Sequence, residues 1–285
     1  MPSPLTSPLS PLRQVLASQV RAVFNDNRRG EQPVQRSAQA LYRPSSVIWR
    51  VHGDVTTMMV GGIAALLLQM LYPAALAGIW DHSNFRTDML GRLRRTARFI
   101  AETTYADEAV AWRAIDRVRA VHARVSGTLP DGSTYRADDP HLLAWVHVCE
   151  AMCFLDAWRR YAEPGMSRAD QDAYFEEFAV IAHALDADPV PETRAQAEAL
   201  MTQFRPELRG DARTREVARL ILSPPGTTLT AMPVQEVVMQ AAVDLLPDWA
   251  RKQHRLPGPG IGKVAIRGST FLLARSLRWA LGARR

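Results

Sequence analysis

EAVAWRAIDRVRAVHARVSG, residues 108–127, carries its apolar residues at helical rather than strand spacing. Ala111, Ile115, Val118, His122 and Val125 follow one another by three or four, the repeat that aligns side chains on one face of an α-helix. Arg113, Asp116, Arg117 and Arg124 fall on other faces. The stretch predicts an amphipathic helix whose apolar seam contains one imidazole, with Gly127 as its stop. An imidazole in such a seam either hydrogen-bonds within the core or binds something. Spacing leaves both open, and the satisfied core histidine is the commoner outcome.

The neighbouring stretches are helical too. VTTMMVGGIAALLLQMLYPAALAGIW (55–80) is the most apolar run. Its length suits a membrane span, but Gly61, Gly62, Gln69, Pro73 and Gly78 interrupt it and no basic cluster flanks it closely. It predicts a buried helix broken near Pro73, with glycines that admit another backbone or a flat ligand. TDMLGRLRRTARFIAETT (87–104) predicts a helix capped by Asp88. Leu93, Ala97 and Ile100 form one stripe, and Arg92, Arg95, Thr96 and Phe99 form the next. That second stripe is either a solvated basic face or a place where Arg92 and Arg95 meet an anion. PHLLAWVHVCEAMCFLDAWRRY (140–161) starts at Asp139-Pro140 and is apolar nearly all round, which predicts a central helix. His147 and Glu150, three apart on it, predict a core histidine paired with a carboxylate. Asp131-Gly132 predicts a tight turn in a two-strand flap.

Further helices are predicted at 167–185, 192–204, 211–222, 232–246 and 264–281, separated by proline- and glycine-bearing breaks. Residues 1–12 read as a Pro/Ser-rich disordered arm, 13–24 as a short amphipathic helix and 25–44 as a loop. The predicted division is residues 1–44, a helical domain at 45–255, and a linker with a basic C-terminal helix at 256–285. The predicted fold class is all-α, one large helical domain.

The chain has 285 residues, 47% of them apolar, which suffices for one large core and excludes a disordered protein. The net charge of +6 comes mainly from arginine and suits an anionic membrane, nucleic acid or an acidic cofactor. No basic run is interleaved with aromatics, so nucleic acid is not expected. Cys149 and Cys153 make no disulfide framework, and the N-terminus lacks the charge and apolar core of a signal peptide, so a cytoplasmic location is expected. The C-terminal helix, with Arg275, Arg278, Arg284 and Arg285, either packs back on the body or touches a membrane surface peripherally. GxSxG, HExxH, P-loop and GxGxxG motifs do not occur. The chain has no Glu-x-x-His pair for a di-iron site, and His147 with the two cysteines cannot complete a zinc site.

The succession GGIAALLLQMLYPAALAGIWDHSNF, GRLRRT, RVRAVHARVSG and LLAWVH resembles the family of the latex clearing protein (rubber oxygenase) and the fungal oxygenase of mycophenolic acid biosynthesis. The resemblance covers roughly residues 45–250, with the motifs in family order. It implies a globin-like helical core around haem b, used with dioxygen on apolar substrates. Arg119-Ala120-Val121-His122 matches the family's Arg-x-x-His, which makes His122 the proximal iron ligand and places Arg119 at the haem. Arg92-Leu93-Arg94-Arg95-Thr96 matches Arg-x-x-Lys-Thr, which places Arg92 and Thr96 at the haem pocket. Arg95 replaces a lysine able to reach the iron; always protonated, it is expected to hydrogen-bond oxygen or a propionate instead. Ser126 replaces an arginine of the rubber oxygenases. Their distal glutamate has no clear counterpart, His82 or Asp81 standing nearest in motif order. These departures point away from rubber and keep the haem site. The expectation is a haem b-dependent oxygenase acting with O2 on an apolar or lipid-like small molecule, with Arg95, His82 or His147 polarising the oxygen. The alternative is a non-catalytic haem-binding or lipid carrier or sensor.

Overall fold

Apolar residues at helical spacing become helices almost throughout. The computed structural model describes residues 31–223, 232–258 and 260–281. Along them run α1 (Val47–His52), α2 (Val55–Gln69), α3 (Pro73–His82), α4 (Met89–Tyr105) and α5 (Glu108–His122). A hairpin, β1 (Ser126–Thr128) and β2 (Thr134–Arg136), precedes α6 (Pro140–Tyr161), α7 (Arg168–Ala184), α8 (Arg194–Phe204) and α9 (Ala212–Leu222). The chain ends in α10 (Met232–Leu245), α11 (Asp248–His254) and α12 (Lys263–Leu281). The protein is all-α apart from that hairpin. The predicted arm, the helix at 13–24, Arg284 and Arg285 lie outside the described residues.

Local signals start the helices. Asp88, Asp139 and Ser167 each accept a hydrogen bond from a first-turn backbone N–H of α4, α6 and α7. Such caps contribute about 1 kcal/mol each. Thr193 with Gln196, and Asp211 with Thr214, form reciprocal capping boxes on α8 and α9.

α2 and α6 form the centre, because both are apolar on nearly every face. Leu67, Leu68, Trp145, Val148 and Phe154 are buried between them and their neighbours. Gly61 makes the close approach possible: a Cβ there would lie 2.8 Å from the Cys153 carbonyl oxygen. Of the two occupants its sequence admits, it faces a backbone. After Gln69 the axis turns by 102° into α3, where Pro73 occupies the first turn. Among the described residues no single helix is long and apolar enough to cross a membrane.

α12 packs on α2, α6 and α10. Two buried carboxylates hold it. Asp244 receives Arg160 at 2.9 Å and Arg267 at 2.8 Å, and Asp54, the α2 cap, receives Arg278 at 3.2 Å.

Two predictions need correction. α5 ends at His122, not at Gly127, and Gly127 lies in β1. The tyrosine opposite it explains the glycine: a Cβ there would meet the Tyr135 ring at 2.8 Å. The predicted His147–Glu150 pair does not form through His147 Nε2, which has no hydrogen-bond partner among the described residues. Gln69 Nε2 donates to Glu150 Oε1 instead, at 3.4 Å.

Candidate functional site

α4 and α5 lie side by side because Glu102 ties them. Its buried carboxylate accepts from Arg98 Nε at 2.8 Å and from Arg117 on α5 at 2.7 Å. Beyond this lock the pair opens. The α5 seam is buried at Ala111 and Ile115 but only half-buried at Val118 and His122, the last residue of the helix. On α4, Ile100 and the last turn are buried, whereas Gly91, Arg92 and Leu93 are half-buried and Arg95 and Thr96 exposed.

The hairpin closes this open end. β1 and β2 pair antiparallel, with Gly127 opposite Tyr135, and Gly132 takes the left-handed φ of +89° that the turn requires. Ala137 N donates to Val125 O at 2.9 Å, which brings Asp138 back to the end of α5. Two bonds fasten the hairpin to α3. The Tyr135 hydroxyl donates to Asp81 at 3.0 Å, and His82 Nε2–H donates to the Ser126 carbonyl at 3.0 Å.

Inside this frame the Arg92 charge acts on the His122 ring. Burial lowers the His122 pKa; Asp138 raises it and the Arg92 charge lowers it further. The net shift disfavours the charged ring, and the side chain makes no hydrogen bond among the described residues. Burial, then the neighbouring Arg95, pushes Arg92 down to about 10, so it stays charged. Its Nη1 reaches the Ser83 hydroxyl at 3.5 Å, and no carboxylate among the described residues pairs with it. A half-buried guanidinium with no counter-ion among the described residues carries a desolvation cost that an anionic group would relieve. A neutral imidazole beside an unpaired arginine can take a metal centre on one and a carboxylate on the other.

The other expected site residues are placed as follows. Arg95 is exposed and reaches Asp88 at 3.4 Å. Thr96 Oγ1 donates to the Arg92 carbonyl at 3.4 Å. Arg119 is exposed, in an ion pair with Asp186 at 2.8 Å. His147 lies in the core, its ring 4.9 Å from that of Phe178, and burial lowers its pKa to about 3. The structure thus sets Arg92 in the field of His122 and Arg95 beside Arg92, sets His82 at the root of the hairpin, and directs Arg119 and His147 elsewhere. Sequence reasoning missed Ser83 and Asp138, which reach the site only through the α3 end and the folded-back hairpin. A small cavity of about 40 Å³, between α3 and the hairpin, is lined by Leu76, Ala77, Leu129 and Pro130 on that side. It holds little more than water.

His52 shows what a satisfied core histidine looks like here. Its Nδ1 meets Thr104 Oγ1 at 2.9 Å and its Nε2 meets the Tyr174 hydroxyl at 3.0 Å, and burial lowers its pKa to about 3.

No curated protein and no solved structure matches the chain. The family described as "ER-bound oxygenase mpaB/B'/Rubber oxygenase, catalytic domain" matches residues 49–281, from α1 to the end of α12. That span contains α2 to α12, most of α1 and the whole His122–Arg92 frame, so the chain belongs to the mpaB/rubber oxygenase catalytic-domain family.

Proposed function

We propose that the protein is a haem b-dependent oxygenase that takes iron on His122 and uses O2 on an apolar, lipid-like or terpenoid small molecule. The observation that carries this reading is an imidazole whose charged form is disfavoured, in the field of a guanidinium, with neither a hydrogen bond on the one nor a carboxylate on the other among the described residues. Membership of an oxygenase family supports it. The donor chemistry fits the group: haem needs one neutral imidazole for iron and cations for its propionates. His122 would supply the first, and Arg92 with Arg95 the second. When bound, the haem supplies the activation of dioxygen.

The chain's own residues do the rest. Asp138 sets the field on His122 and opposes Arg92. Arg92 binds and orients an anionic edge. Arg95 adds the second cation, since its exposed contact with Asp88 is weak and easily exchanged. Thr96 fixes the Arg92 backbone rather than a ligand. His82 donates its Nε2 proton to the hairpin and so serves as a hinge pin, not as a proton source. Apart from Met89 and Tyr135, which are buried, the start of α4 and the hairpin are half-buried or exposed where they are described, which suits this edge more than the core to admit a flat ligand.

The test is an absorption spectrum of protein produced with ample haem supply. A Soret band is expected, abolished by His122→Ala, weakened by Arg92→Gln and retained in Arg119→Ala. A colourless protein, or a band indifferent to His122→Ala, overturns the reading. Oxygen consumption with isoprenoid and fatty-acyl substrates then separates an oxygenase from a haem carrier.

A further inference from the structure

α12 is apolar on two opposite sides. Thr270, Ala274, Leu277 and Ala280 are buried against the body. On the other side Val264 is 82% exposed, Leu272 62%, Trp279 46% and Phe271 43%. At about 100° per residue these four, with Gly268 and Arg275, share an arc of roughly 100°. Single exposed apolar residues are ordinary, but four large ones along one stripe of one helix mark a contact surface.

The charges identify what covers it. α12 carries Lys263, Arg267, Arg275 and Arg278 and no carboxylate. Arg267 and Arg278 turn inward, to Asp244 and Asp54. Arg275 stays exposed in the middle of the stripe, and Lys263 is exposed at its start. A second copy of the chain is a poor cover: an isologous pairing would set cationic helix against cationic helix and strand Arg275 in the contact. Lipid phosphates supply the missing counter-ions, while Phe271, Leu272 and Trp279 suit the acyl and interfacial zones.

We propose that the outward face of α12 docks the protein on an anionic lipid bilayer, lying in the membrane surface rather than crossing it. This surface is separate from the His122 frame, so it stands or falls independently of haem binding. The full chain is tested by co-sedimentation with vesicles of phosphatidylcholine alone and of phosphatidylcholine with phosphatidylserine. Binding to the anionic vesicles is expected, reduced by salt and much weaker on the neutral ones. Arg275→Glu, and the double variant Phe271→Ser/Leu272→Ser, should each lower the bound fraction at least about tenfold at limiting lipid. Circular dichroism melting confirms that these outward-facing variants keep the wild-type fold. Wild-type protein that stays in the supernatant, equal binding to both vesicle types, or binding unaffected by both variants overturns the proposal. So does a wild-type dimer on size exclusion that the double variant converts to monomer without any vesicle binding, since a second copy would then cover the stripe.

Discussion

Gly61 and Gly62 are neighbours on α2, yet alanine at each should move stability in opposite directions. A Cβ at Gly61 would lie 2.8 Å from the Cys153 carbonyl oxygen and 2.9 Å from the Phe154 Cα. Both obstacles belong to the backbone of α6 and cannot rotate aside. The two central helices would have to part by about half an ångström to restore ordinary contact. Overpacking costs about 1–3 kcal/mol, and a backbone obstacle puts Gly61→Ala at the upper end. The better helix propensity of alanine returns about 1 kcal/mol, leaving a net loss near ~2 kcal/mol. A Cβ at Gly62 meets Phe154 Cε1 at 3.5 Å, an ordinary contact. Gly62→Ala therefore keeps the propensity gain and loses nothing. Thermal unfolding followed by circular dichroism should show Gly61→Ala melting about 4–8 °C below wild type, and Gly62→Ala at or slightly above it. Equal melting temperatures for the two variants would refute the reasoning. They would mean that α2 and α6 do not touch backbone to backbone at Gly61, and that the space there is open to a flat ligand.

Burial pushes the Glu150 carboxyl up to about 7. The folded state then holds a proton that the unfolded chain releases near pH 4.3, so this group makes stability fall as pH rises from about 4.5 to 7. Glu150→Gln should accordingly gain up to about 3–4 kcal/mol at pH 8 and almost nothing at pH 4, read from urea midpoints at the two values; an equal effect at both sinks this account. His52 and His147, both held near 3, act the other way: they are neutral when folded and gain protons on unfolding below about pH 6.5. His147→Leu also removes an unpartnered buried nitrogen, so it should be neutral or stabilising at pH 7 and should flatten the loss of stability from pH 6 to 4; a steeper loss would contradict it. Tyr135→Phe removes the hydroxyl that reaches Asp81 and should cost about 1 kcal/mol, seen as faster proteolytic nicking of the 126–136 hairpin; unchanged cleavage would show that the bond does not hold the hairpin down.

The long helices were legible because their causes are local. α4, α6 and α7 each announce themselves by a cap and an apolar repeat, and both signals lie within the helix or one residue before it. α1 was not legible for the opposite reason. VIWRVH is rich in strand-forming residues; Ser46 caps it locally, accepting from the Trp49 N–H at 3.4 Å, and Glu177 on α7 adds a second cap, its carboxylate accepting from the Val47 and Ile48 N–H groups at 3.1 and 2.6 Å. A cap supplied from 130 residues away leaves no mark on the local pattern. α11 is short as well, starting after Pro247 and ending at Arg255 in the left-handed region. Gly127 misled because a glycine after an apolar run suits a helix stop and a crowded strand equally well. The tyrosine that decides between them lies eight residues further on.

The three histidines His52, His122 and His147 show where sequence reasoning about a site ends. Spacing read His122 and His147 alike as core histidines by default, and it gave no signal for His52. Folding separates them by what surrounds each ring. His52 is bonded on both nitrogens. His147 is buried in the core against the Phe178 ring, with its Nε2 lacking a hydrogen-bond partner among the described residues. His122 alone of the three is half-buried rather than buried, and it lies in the fields of an arginine with no carboxylate partner among the described residues and of an aspartate that the hairpin returns to it. The resemblance singled out His122 and Arg119 through one four-residue motif, yet the helix turns the two differently, and Asp186 from the loop after α7 takes the arginine. The cation that shares the field of His122 comes from the neighbouring helix instead. That arrangement argues for a ligand with one metal-seeking centre and a separate anionic edge, because a single small ion could satisfy His122 or Arg92 but not both.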